Sequence, residues 1–189
     1  MFAFGLWDGP RRRLLLVRDR LGVKPLYWAR AGDVLLFASE IKSILASNLI
    51  AARPNLGVLS EVLATRYTSG TETLFEGVYK LLPGHRLVFE DGRVGVEQYW
   101  DVPVDGPDAG LERLDDNTLV ERFRALLEES VRLRLMSDVP LGAFLSGGID
   151  STAVAALMAQ EMDRPVQTFS VAFADRRFSE LEYAQQAAR

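Results

Sequence analysis

Six residues, Ser146-Gly147-Gly148-Ile149-Asp150-Ser151, constrain this chain more than any others. An apolar run, Leu141 to Leu145, leads into them, and a helix-forming run, Thr152 to Gln160, leads out. A strand, a glycine turn and a helix in that order build a cradle for phosphate. N–H groups at the first helical turn have no partner within the helix and point outward. The glycines allow a tight bend and a close approach of a ligand to the backbone. Two serine hydroxyls can bond phosphate oxygens, and the Asp150 carboxylate can hold a magnesium ion that bridges them. An ordinary strand–turn–helix corner capped by serine is the competing structural explanation. The flanking runs and the Asp-Ser pair at the helix start weigh against it.

The loop is not the common nucleotide loop, because G-x-x-x-x-G-K-[ST] is absent and no lysine sits in the turn. The pattern S-G-G-x-D-S instead resembles the pyrophosphate loop of the N-type ATP pyrophosphatases. That resemblance implies cleavage of ATP between its α- and β-phosphates.

Bulk properties narrow the alternatives. The 189 residues, 48% hydrophobic, suffice for one full domain or parts of two. A formal charge of -4 gives no reason to expect a nucleic-acid partner. The absence of cysteine excludes disulfides, thiolate metal sites and a cysteine nucleophile within these residues, and it suits a cytoplasmic setting. A single histidine, His85, cannot make a histidine metal site, and its place after Pro83-Gly84 suggests a structural role. No run of 18 apolar residues predicts a membrane span. The opening residues read as a strand already inside a domain, and the last ones stop within a helical pattern. The chain is therefore expected to be part of a larger protein.

In the first half, Phe2, Phe4 and Leu6 alternate with smaller residues, which predicts a strand with those three on its buried face. Asp8-Gly9-Pro10 marks a turn, and Leu14 to Val17 the partner strand. Arg11-Arg12-Arg13 reads as a solvated hairpin end. Hairpins are predicted around Ala31-Gly32-Asp33 and Asp91-Gly92. Short helices are predicted from Ser39, as cap, and from Pro54. Residues 73–85 read as loop. Asp19, at a strand end beside Arg18, could bind an amine or pair with an arginine.

Asp101 to Asp116 is rich in Pro, Gly and Asp and reads as a linker. A helix with capping-box spacing follows from Thr118, with Leu119, Phe123, Leu126, Leu127 and Val131 on one face. Met158 is expected in the core. Val166 to Phe173 forms the next strand, and Phe178 begins a further helix, where Glu180 is expected to favour the helix dipole rather than a ligand. Helix, strand, loop, helix, strand is the start of a doubly wound parallel α/β sheet, whose ligands bind beyond the carboxyl ends of the strands.

Residues 135–151, running into the Ser146 loop, look like the start of the synthetase domain of the glutamine-hydrolysing asparagine synthetases of the bacterial B type. Phe169-Ser170-Val171-Ala172-Phe173 resembles that domain's second strand. Residues 1–8, Arg18 to Tyr27, Phe37 to Lys42, and Leu74 to Val78 with Leu82 to His85 resemble the later part of that family's N-terminal-nucleophile glutaminase domain. The resemblance implies residues 1–100 as the C-terminal part of a class II amidotransferase domain, α+β with antiparallel sheets. It implies a linker at 101–116 and the N-terminal part of the ATP-pyrophosphatase domain at 117–189.

It also implies glutamine, aspartate and ATP as substrates and magnesium as cofactor. Aspartate would become asparagine through β-aspartyl-AMP, with ammonia drawn from glutamine. Asp19 would hold the α-amino group of glutamine. Ser146, Gly147, Gly148, Asp150 and Ser151 would hold pyrophosphate, with Asp150 on magnesium. Phe144 and Val171 would present backbone to adenine. The family's cysteine nucleophile would lie before Met1 and its aspartate-binding residues after Arg189, so neither activity is expected of these residues alone. A relative with another acceptor, β-lactam-forming or peptide-modifying, shares the loop and stays open, as does a noncatalytic module. A homodimer is left open.

Overall fold

The computed structural model describes the chain except for Asp105, Pro107, Ala109, Arg176 and Phe178. Parts of the expected linker, and the residue expected to open the last helix, lie outside the described residues. The chain divides into two compact units, Met1–Val104 and Asp105–Arg189.

The first unit contains two antiparallel sheets. One has the order β1 (Ala3–Asp8), β2 (Arg13–Arg18), β6 (His85–Glu90), β7 (Arg93–Gln98). The other has the order β4 (Val34–Ala38), β3 (Tyr27–Ala31), β5 (Val78–Lys80). Leu16 of β2 pairs with Leu87 of β6, and both are fully buried. Trp28 and Leu35 of the second sheet pack against them, so the two sheets share this apolar layer. Burying a leucine of this kind contributes about 1.5–3 kcal/mol. The other face of the second sheet buries Ala29 and Val78 against Ile44 of α1 (Ile41–Leu45). A turn at Leu56–Val58 and α2 (Leu59–Thr65) complete the unit.

Three expectations change here. Phe4 and Leu6 are 45% and 57% exposed, because the face of β1 that meets the core carries Ala3 and Gly5. A Cβ on Gly5 would lie 2.9 Å from the Phe37 ring, so a larger residue there requires that ring to shift. Residues 78–80, expected as loop, form β5, held by pairing with β3 and not by any pattern of their own. The predicted caps move as well: Glu40 and not Ser39 precedes α1, and Asn55 accepts from the Gly57 N–H where Pro54 was expected to open the helix.

The second unit holds α3 (Asp116–Arg132), β8 (Gly142–Phe144), α4 (Ile149–Glu161), β9 (Gln167–Phe169) and α5 (Leu181–Ala187). The carboxylate of Asp115 caps α3 by accepting from the N–H and hydroxyl of Thr118, so the helix starts earlier than its Thr118 spacing suggests. Of its predicted apolar face, Val131 is buried while Phe123 and Leu126 are exposed. Met158 is buried, as expected. β8 and β9 pair in parallel, Ala143 opposite Thr168. Among the described residues no helix is long and apolar enough to cross a membrane.

Candidate functional site

The carboxyl end of β8 leads directly into the Ser146 loop. Leu145 is 2% exposed, and its N–H donates to the Phe169 carbonyl at 2.9 Å, extending the parallel ladder by one rung. The chain then turns at Gly147, whose φ of +82° lies in the left-handed region. A side chain there would also strike α5: a Cβ would fall 2.5 Å from the Ala184 nitrogen and the Tyr183 Cβ. Gly147 is thus required twice, for its torsion and for the close passage of the loop beside α5.

Helix α4 begins three residues earlier than its apolar spacing indicates. Gly148 precedes it in extended conformation and gives no side-chain cap. Asp150 lies in the first turn, where the helix dipole favours a carboxylate or a bound anion. The two serine hydroxyls face each other, Ser146 Oγ to Ser151 Oγ, at 3.0 Å. Ser151 Oγ also accepts from the Ser146 N–H at 3.3 Å and donates to the Gly148 carbonyl at 3.2 Å. The Gly148 N–H donates to Ser146 Oγ at 3.3 Å. These bonds are long for hydroxyl partners, so a phosphate oxygen can replace them at little cost.

Beside the loop lies a hollow of about 220 Å³. Phe144, Phe169, Val171 and Phe173 give it apolar walls, and Ser146, Ser170 and Glu180 give it polar ones. Phe144 and Val171 are 82% and 69% exposed. Phe173, Glu180 and Ala184 were not singled out as ligand contacts by the sequence, since they reach the hollow from beyond β9. Only the small residue at 184 and the acid before α5 hint at it, and Glu180 both precedes α5 and lines the hollow.

A magnesium ion fits these residues in a restricted way. Among the described residues no group of three or more His, Asp or Glu side chains could hold a metal. Asp150 would offer a single carboxylate, the arrangement in which magnesium takes its other ligands from phosphate oxygens and water.

Asp19 lies in the first unit and is 5% exposed. Its Oδ2 accepts from the N–H groups of Phe2 at 3.2 Å and Lys24 at 3.0 Å, and its Oδ1 from the Val23 N–H at 3.0 Å. Burial alone would push this carboxyl up, but donation from the N–H groups of Lys24, Val23 and Phe2 holds it below the usual carboxylate value. Three of about four acceptor positions on the carboxylate are thereby taken by its own backbone. The geometry gives Asp19 a structural task. Arg18 works from the other side of the same turn: its guanidinium donates to the carbonyls of Lys24, Leu81 and Gly22. His85 Nδ1 sits 2.7 Å from the Pro83 carbonyl, in keeping with a structural role.

Comparison with known proteins divides the chain in the same order. Residues 1–100 match the model of the glutamine amidotransferase domain. The chain belongs to that family. Residues 122–189 match the asparagine synthase model. A glutamine-hydrolysing asparagine synthetase of Bacillus subtilis is 38% identical over 177 residues, covering 90% of this chain and 28% of the relative. A second from that organism is 34% identical over 193 residues, covering 100% and 29%. An amidase of Gibberella zeae is 42% identical over 159 residues, covering 83% and 23%. The chain thus spans less than a third of the length of these relatives. The resemblance to glutamine-hydrolysing asparagine synthetases read from the two sets of motifs holds.

Proposed function

We propose that this chain belongs to an enzyme that makes asparagine from aspartate, using ATP and the ammonia of glutamine. Residues 1–100 are then the later part of the glutaminase domain, 101–116 a linker, and 117–189 the start of a doubly wound ATP-pyrophosphatase domain. The reaction is placed in the cytoplasm. The observation that carries the reading is the Ser146–Ser151 turn, with its paired hydroxyls, uncapped helix start and adjoining apolar hollow, inside the segment matched by the asparagine synthase model.

In this reading adenine lies against the Phe144 and Val171 backbone, and the β- and γ-phosphates lie on the loop. The aspartate β-carboxylate attacks the α-phosphorus, pyrophosphate leaves, and β-aspartyl-AMP forms. Ammonia then attacks the acyl carbon and AMP departs. Ser146, Ser151 and the first N–H groups of α4 stabilise the charge that builds on the leaving pyrophosphate. Asp150 would hold magnesium, which would supply partial neutralisation of the same charge. Asp19 offers its remaining acceptor position to the glutamine ammonium.

The test is calorimetric titration of the 189-residue chain with ATP and magnesium. Binding is expected, and Asp150→Ala should weaken it at least ten-fold and remove its magnesium dependence. Absence of binding by the unaltered chain would sink the reading. A second reading, the same two domains with a different amine acceptor, is favoured by one observation: a relative at 42% identity bears the name amidase. Both readings predict the same ATP binding. Activity assays on a protein that includes the acceptor pocket separate them.

A further inference from the structure

We propose that Ser170 is a positioning residue that locks the root of the phosphate loop to the adenine-side wall of the hollow. The proposal rests on the nucleotide reading above. Leu145 is the last buried residue before the loop, and both of its main-chain polar groups are held by the same short segment. Its N–H donates to the Phe169 carbonyl at 2.9 Å. Its carbonyl accepts from the Ser170 hydroxyl at 2.6 Å, the shortest bond in this region. Beyond Leu145, the loop is held by its own hydroxyls at 3.0–3.3 Å.

Ser170 stands in the chain between Phe169 and Val171, and all three line the hollow. One side chain therefore fixes where the loop begins relative to the wall on which a base would rest. A ligand that touches both places depends on their separation, whereas a ligand that touches only the loop does not. ATP is of the first kind and inorganic pyrophosphate of the second. The strand ladder alone leaves the Leu145 carbonyl without its partner, and a rotation of that peptide would turn the Ser146 N–H away from Ser151.

The experiment compares the full 189-residue chain with its Ser170→Ala and Ser170→Thr variants. Amide hydrogen exchange reports on residues 145–151, and calorimetry on magnesium-ATP and magnesium-pyrophosphate. Loss of one hydrogen bond of ordinary strength should speed exchange in the loop about five-fold. It should weaken ATP by a similar factor and pyrophosphate by much less, with β1 to β7 exchanging as before. Ser170→Thr keeps the hydroxyl and should restore both readouts. Equal losses for ATP and pyrophosphate, unchanged loop exchange in Ser170→Ala, or a threonine variant as defective as alanine would each overturn the proposal. ATP binding by the unaltered chain with undiminished affinity in Ser170→Ala overturns the proposal alone. Failure of the unaltered chain to bind ATP overturns the nucleotide reading and the proposal with it.

Discussion

Two polar clusters carry this molecule, and they are built in opposite ways. Around Arg18 and Asp19 in the first unit, a guanidinium and a carboxylate are bonded almost to capacity by main-chain groups from residues 2, 22–24 and 81. The Tyr99 hydroxyl adds a bond to the Arg18 carbonyl, and the Gly84 N–H one to the Asp19 carbonyl. Around Ser146 and Ser151 in the second unit, the hydroxyls bond to one another and to main-chain groups of the same short loop, all at 3.0–3.3 Å, the helix start lacks a side-chain cap, and Asp150 is exposed. Charged groups bonded to capacity hold a backbone in one shape. Polar groups of an exposed loop that are held only by long bonds within that loop can exchange those bonds for a ligand's. A cluster's bonding thus shows how much of it is committed to holding the backbone and how much stays exchangeable, which residue types alone do not.

The comparison can be broken at four points. Gly147→Ala should do most damage, because the new Cβ meets the backbone of α5 and the torsion is strained. A loss of about 2–4 kcal/mol in unfolding free energy is expected, along with ATP binding weakened beyond detection. Retention of both would show that the loop does not pass beside α5 as described.

Asp19→Asn comes next. Replacing a carboxylate that accepts three N–H bonds should cost about 2–4 kcal/mol, read from the urea midpoint. Its pH signature is specific. The folded-state pKa is lowered, so the stabilisation is complete above the unfolded value of about 4 and is lost as pH falls through the folded one. The Asn variant should therefore lose part of the acid-induced fall in stability below about pH 4. An identical acid limb in both proteins would remove Asp19 from the node.

Ser151→Ala should have the opposite profile, with a midpoint changed by less than about 1 kcal/mol but ATP binding reduced about ten-fold. A large stability loss with intact binding would move Ser151 into the structural class. Arg124→Ala serves as the control, since its bond to Glu128 joins two solvated side chains along α3. No measurable change in midpoint or binding is expected.

The sequence carried the hairpins because Gly32 and Asp91-Gly92 announce their turns, and it carried the phosphate loop because its glycines and hydroxyls are contiguous. Less was legible where an element depends on distant partners. Nothing in Val78-Tyr79-Lys80 distinguishes a strand from a loop until β3 pairs with it. The strand at Phe4 and Leu6 was readable but its facing was not, since alternation gives two faces and only the Phe37 ring beneath Gly5 says which is inner. The hollow was half legible: Phe144 lies just before the motif and Val171 came with the resemblance of residues 169–173, while Glu180 and Ala184 arrive from the start of α5, some thirty residues on. The bonding of Asp19 could not be read at all, because its partners are backbone N–H groups, which every residue but proline possesses.

Gly84 has a consequence for how this sequence can vary. Its φ is +65°, its carbonyl accepts from the N–H groups of Tyr99 and Trp100, and any Cβ would collide with the carbonyl oxygen of Trp100. In a library sampling every amino acid at every site, that column should return glycine alone. The turn glycines Gly32 and Gly92 have no atom near the position of a Cβ, and their columns should admit asparagine and aspartate. The mutational record of the first unit would then draw the path of its closing strand, one intolerant glycine marking where two stretches of main chain touch.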